Sequence, residues 1–297
     1  MKKIRIVADS TCDLSPELLE RFEISTIPLC IVMNDESFYD GIDVTPADIY
    51  KWADENRTTP KTAAVTYEKS IEVLKPMMDA GDDIIFFGIS GKMSSTCQVI
   101  RLIAAQESYS RLFVIDSENL STGIGLQVIR AAELAAAGKS AEEIVESIES
   151  ARGLVRASFV VDNLTYLARG GRCTAVTALM ATAFKIHPMI IVKDGAMGVS
   201  KKFRGKMIHV LKTYVEGLKN VLAKADPARV FITHSGCTEE IIGIVKAELE
   251  ALGYFNEILI TQAGGVISSH CGPDTLGVLF YVKESAQAAE EAPTEEE

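Results

Sequence analysis

Three loops at the carboxyl ends of the N-terminal strands carry more polar groups than a fold requires. They are Asp9-Ser10-Thr11-Cys12-Asp13, Ser90-Gly91-Lys92-Met93-Ser94-Ser95-Thr96 and Asp116-Ser117. Ligands of open α/β sheets bind outside those strand ends. The second loop leads from an apolar strand into a helix that opens on hydroxyls, so free backbone N–H groups and the side chains of Ser94, Ser95 and Thr96 converge. That arrangement suits a carboxylate or phosphate. Ser94 serves there as a helix cap, as a ligand contact, or as both.

Two further segments could meet such a ligand. Gly264-Gly265-Val-Ile-Ser-Ser-His270-Cys271-Gly272-Pro273 reads as a tight loop between two strands. Its imidazole is either a core group bonded to backbone or a ligand contact. Arg169-Gly170-Gly171-Arg172 places guanidinium groups beside two glycines that permit close approach. From Leu164 to Lys212 the chain has nine cations (Arg169, Arg172, Lys185, Lys193, Lys201, Lys202, Arg204, Lys206 and Lys212) and one acid, Asp194. Such a run is a solvated face at Lys201 and Lys202. Around Arg172 it reads as a site for an anionic group or an acidic partner.

Standard catalytic and nucleotide motifs fail. Gly88-Ile-Ser-Gly91-Lys92-Met93 lacks the spacing of a phosphate loop, Gly123-Ile-Gly125 lies inside a helical pattern, and no G-x-S-x-G elbow occurs. Ser94 and His270 could pair as nucleophile and base of an acyl hydrolase or esterase, but no motif marks them as a pair. The six cysteines show no C-x-x-C, and the four histidines no H-x-x-x-H, so neither a disulfide framework nor a metal site is expected. Reduced thiols are.

The elements that must position these groups alternate. Strands at 4–8, 83–89 and 112–115 are separated by helices opening at Ser15-Pro16, Thr45-Pro46, Thr66, Ser94 and about Ser121. Ile24 to Val32 reads as one strand pushed toward an edge by Pro28. Ser140-Ala-Glu-Glu143 is a capping box. This alternation predicts a three-layer α/β/α domain with a parallel sheet over 1–153. From 154 to 283 the pattern predicts a two-layer domain with a mixed sheet: strand 154–161, a hairpin at Asp194-Gly195, helices 205–224 and 238–251, and strands 229–233, 255–261 and 276–282. Residues 284–297 hold six Glu and no cation, and form an acidic tail.

With 297 residues, 47% of them hydrophobic, the chain has globular composition. Its net charge of −11 argues against nucleic-acid binding. Met1-Lys2-Lys3 runs straight into a short apolar strand, so no secretory leader is expected, and no stretch is long enough to span a bilayer. A soluble, cytoplasmic protein is the expectation.

Taken in order, these motifs resemble the DegV family, which includes the fatty-acid-binding subunits of bacterial fatty acid kinase. The resemblance runs from about residue 3 to 282. It rests on Asp9-Ser10-Thr11-x-Asp13-Leu14, Asp40-Gly41-x-Asp43, Ser94-x-Thr96, Asp116-Ser117, Arg169-Gly170-Gly171-Arg172, His187-Pro188 and His270-x-Gly272-Pro273. It implies one long-chain fatty acid buried between two domains, with its carboxylate at Thr62, Ser94 and His270. It places Arg172 and Arg204 near that end, and it implies a separate kinase that brings ATP and metal, so that the chain itself needs no cofactor and is not an enzyme. Arg169, Arg172, Lys201 and Lys202 would then face the partner, and a peripheral encounter with membrane fits the same role. The chain departs from the family pattern at Ala63, Ala64, Ser95, Cys271 and Asp274.

Overall fold

The computed structural model describes residues 3–177 and 186–285. Lys185, the middle of the apolar segment 173–191 and nearly all of the acidic tail lie outside the described residues. The first half contains β1 (Ile4–Asp9), α1 (Pro16–Arg21), β2 (Ser25–Ile27), β3 (Cys30–Met33), β4 (Glu36–Tyr39), α2 (Pro46–Asn56), β5 (Lys61–Ala63), α3 (Tyr67–Asp79), β6 (Asp83–Gly88), α4 (Thr96–Gln106), β7 (Leu112–Asp116), α5 (Thr122–Ala136) and α6 (Ala141–Ala151). The second contains β8 (Val155–Val160), α7 (Leu164–Gly170), α8 (Thr174–Thr177), β9 (Ile186–Lys193), β10 (Ala196–Arg204), α9 (Met207–Leu222), β11 (Ala225–His234), α10 (Glu239–Glu250), β12 (Glu257–Gln262), α11 (Gly265–Cys271) and β13 (Leu276–Val282).

The start signals act as expected. The side chains of Ser15, Thr45, Thr66 and Ser140 each accept a backbone N–H in the first turn of α1, α2, α3 and α6. Strands β2, β1, β6 and β7 form a parallel sheet in that order. Successive side chains of β6 point to opposite faces, and both faces are buried: Ile84 and Phe86 pack with α3 and α4, Ile85 and Phe87 with α5 and α6. This is the expected α/β/α layering.

The second sheet has the order β10-β9-β8-β13-β11-β12. Its pairings are antiparallel except β11 with β12, so the sheet is mixed, as expected. Helices α9 and α10 pack against each other and against β9, β11 and β12. Helix α5 lies between the sheets, in contact with β1 and β6 on one side and with β8 and β13 on the other. It is apolar around most of its circumference, as a helix covered on two sides must be.

Three local expectations need correction. The segment 24–32 is two strands, because Pro28 cannot donate to a ladder: β2 edges the parallel sheet, while β3 is the centre of a separate antiparallel sheet β4-β3-β5. Residues 164–170, given no element in the sequence pattern, form α7, which stops where Gly171 takes φ 69°. The His270 segment is the helix α11 and not a tight loop. All six cysteines are free and buried. No helix among the described residues is long and apolar enough to cross a membrane.

Candidate functional site

Three elements from distant parts of the sequence bring the polar groups together. Strand β5 pairs with β3, Thr62 opposite Ile31, and this presents the Thr62 hydroxyl to α11. His270 sits in the last turn of α11, and its Nε2 lies 2.8 Å from Thr62 Oγ1. Its Nδ1 is buried without a hydrogen-bond partner among the described residues, against the backbone of Gly170. A Cβ at position 170 would stand 2.3 Å from that nitrogen, so the first glycine of Arg169-Gly-Gly-Arg172 is there to admit the imidazole. The Arg172 guanidinium, exposed, donates to the Gly170 carbonyl at 2.8 Å.

Burial first, and the Arg172 charge second, hold the His270 imidazole well below its ordinary range, at about 4. At neutral pH the ring is uncharged, and the positive charge of the site belongs to Arg172. Opposite them stands the loop after β6. Ser94 Oγ lies 3.0 Å from Thr96 Oγ1 and accepts the amide of Thr96, the first residue of α4, at 3.3 Å, while Ser95 at the N-cap makes no side-chain cap bond. Thr96 is fully buried, Ser94 half-buried and Ser95 exposed. The loop is tied to the far sheet by Ser90, whose hydroxyl donates to the Gly195 carbonyl at 2.7 Å.

Thr62, Ser94, Ser95, Arg172 and His270 line one cavity of about 280 Å³. Its other walls are apolar, among them Leu29, Ile89, Met93, Leu120, Met197 and Ile267. Leu120, Ile267 and Cys271 also line a second, smaller cavity of about 30 Å³ that reaches Phe159 and Leu279 of the mixed sheet. The two cavities share these three residues, and the larger one combines hydroxyls, an imidazole and a guanidinium with hydrocarbon walls. Such a combination suits an anionic amphiphile. A larger cleft, about 560 Å³, at Arg152, Lys193 and Leu218 contains none of these residues.

The other named residues fall elsewhere. Arg204 ends β10, is exposed, and does not line the cavity. Arg169, Lys201 and Lys202 are exposed too, and none of these four, nor Arg172, makes an ion pair among the described residues. His187 joins Asp162, at 3.3 Å, to the Gly205 carbonyl, at 3.1 Å, and steadies the hairpin. The hydrolase reading loses its geometry: Ser94 pairs with Thr96, and the imidazole pairs with Thr62. No group of three or more metal-ligating side chains occurs among the described residues.

A family model described as an uncharacterised protein of the DegV family matches residues 3–283. The chain belongs to the DegV family. Among DegV relatives, a DegV domain-containing protein of Clostridium perfringens is 31% identical over 96% of this chain and all of its own length. A solved structure of a DegV family protein from Thermus thermophilus, reported for its fatty-acid binding, superposes with a TM-score of 0.87 at 29% identity, covering 95% of this chain and 100% of the other. A stearic-acid-binding protein from Eubacterium ventriosum superposes with a TM-score of 0.81 at 25% identity, covering 96% and 100%. Ala63, Ala64, Ser95 and Cys271, named above as expected departures from the family pattern, all line the cavity.

The sequence missed part of this site. Thr62 was indicated by family resemblance alone, since 208 residues separate it from His270 and no spacing signals such a pair. The apolar walls Leu29 and Met197 carry no sequence mark either. The Asp9 loop was expected to face ligand, yet Asp9 is buried with its carboxylate accepting the amides of Thr11 and Ile89.

Proposed function

We propose that this chain binds one long-chain fatty acid between its two halves, 1–153 and 154–283. The observation that carries the reading is the meeting of Thr62, Ser94, His270 and Arg172 in the wall of one cavity whose other lining is largely apolar. The carboxylate accepts hydrogen bonds from the Thr62 and Ser94 hydroxyls, with Thr62 held in place by the His270 ring, and faces the Arg172 charge. The acyl chain lies along Leu120 and Ile267 toward Phe159. Fatty-acid binding reported for the solved relatives supports the same assignment.

The chain then presents the carboxylate to a separate ATP-binding kinase. A carboxylate oxygen bonds to the γ-phosphorus as the bond to ADP breaks, giving an acyl phosphate. That transfer needs positioning and charge neutralisation more than covalent help. Arg169, Arg172, Lys201 and Lys202, exposed and without ion pairs among the described residues, suit the docking of that partner, and the protein works in the cytoplasm, where it meets membrane only peripherally. The test is solvent extraction of the purified protein followed by mass spectrometry. A stoichiometric fatty acid, or uptake of added oleate or palmitate, is expected. A protein with no lipid that takes up neither overturns the reading.

A further inference from the structure

Helix α11 carries His270 but has no cap of its own: Gly264 at its start has no side chain, and no side-chain cap bond occurs within the helix. Its first amides are met instead by two carboxylates from remote loops. Asp13 Oδ1 accepts Gly264 N at 2.8 Å, and Asp40 Oδ1 accepts Gly265 N at 2.7 Å. Both acids are buried, and their second oxygens are fixed: Ser121 donates to Asp13 Oδ2, and Ser10 donates to Asp40 Oδ2 at 2.8 Å. Ser10 in turn accepts the Leu29 amide at 3.2 Å.

The two glycines make this possible. A Cβ on Gly264 would lie 3.3 Å from oxygens of both Asp13 and Asp40, and one on Gly265 would lie 2.9 Å from Asp40 Oδ1 and 2.7 Å from Ile31 Cδ1. Asp13, with φ 50°, closes the short turn Ser10–Cys12 that follows β1, and Asp40 follows β4. The clamp therefore references α11 to the parallel sheet, to the start of α5 and to the three-stranded sheet that carries Thr62.

We infer that Asp13 and Asp40 are positioning residues, which hold α11 by its first two amides and so set His270 against Thr62 at the carboxylate end of the cavity. The ligand readout of this inference rests on the fatty-acid reading; the ring readout does not.

The experiment compares Asp40→Ala, Asp40→Asn and Asp82→Ala with the unaltered protein, by palmitate titration and by ¹⁵N NMR of the His270 ring. Asp82, whose carboxylate pairs with Arg5 at the far end of β1, controls for a general loss of stability. Asp40→Ala is expected to raise the palmitate Kd at least tenfold and to shift the ring resonances while the far-UV circular dichroism is kept. Asp40→Asn, with one acceptor oxygen left, is expected to fall between, and it decides the matter should the alanine variant not fold. Folded variants with a Kd within twofold of the unaltered protein and unmoved ring signals overturn the inference, as does an equal shift in Asp82→Ala. If the unaltered protein takes up no palmitate while Asp40→Ala still moves the ring, the fatty-acid reading falls and the clamp stands.

Discussion

Replacing His270 by Gln tests the site through its protons. In the folded chain the imidazole takes its proton only near pH 4, whereas an unfolded chain takes it near 6.5. Between those values the unfolded state binds more protons, so the histidine's contribution is full above pH 6.5 and is lost as pH falls toward 4. A displacement from 6.5 to about 4 corresponds to about 3 kcal/mol. Buried Asp9 works in the opposite direction over much of the same window, because desolvation carries its carboxyl up to about 6. The observable is therefore a difference. Urea unfolding of the unaltered protein and of His270→Gln at pH 7, 6, 5 and 4 gives a stability gap that shrinks toward low pH by about 3 kcal/mol. A gap that stays constant across that range would show an imidazole with an ordinary pKa and refute a dry, Arg172-flanked pocket.

Three more outcomes follow from particular contacts. Gly170→Ala drives a methyl into His270 Nδ1 and is expected to break the Thr62 bond, with a loss of about 1–3 kcal/mol in thermal or urea unfolding; unchanged stability and an unchanged ring spectrum would refute it. Asp9→Asn has no carboxyl to ionise, so the loss of stability that Asp9 causes as pH rises from about 4 to 6 is expected to vanish from its unfolding profile. Arg172→Ala is expected to spare lipid uptake and to lower kinase-dependent phosphorylation, and to raise the His270 pKa in the same protein; equal loss of uptake and phosphorylation would refute that division of roles.

The layering was legible because it rests on local chemistry. Apolar runs such as Ile84 to Phe87 admit only a strand covered on both faces, and Thr45, Thr66 and Ser140 are cap residues wherever they precede a helical pattern. Helix α11 was hidden by the same reasoning. Two glycines, seven residues and no internal cap describe a loop until Asp13 and Asp40 arrive from more than two hundred residues away. The Asp9-Ser10-Thr11-x-Asp13 motif drew attention correctly, but its oxygens face backbone amides and hydroxyls of the protein itself. Side-chain type indicates what a group can bond; which partner the fold supplies is a long-range matter that spacing does not encode.

Helix α5 has a consequence for how a ligand gets in. It packs on both sheets at once, and Ile124, Leu126, Val128 and Ile129 are fully buried in a core that is continuous across them. Swinging the sheets apart would strip one side of that helix, on the order of 5 kcal/mol at about 1.5–3 kcal/mol per side chain. Such an opening would be populated about once in several thousand molecules and would amount to partial unfolding. If the proposed fatty-acid reading holds, loading and release are then events of the rim, where exposed Ser95 and Arg172 border the cavity, and not of a parting of the two sheets.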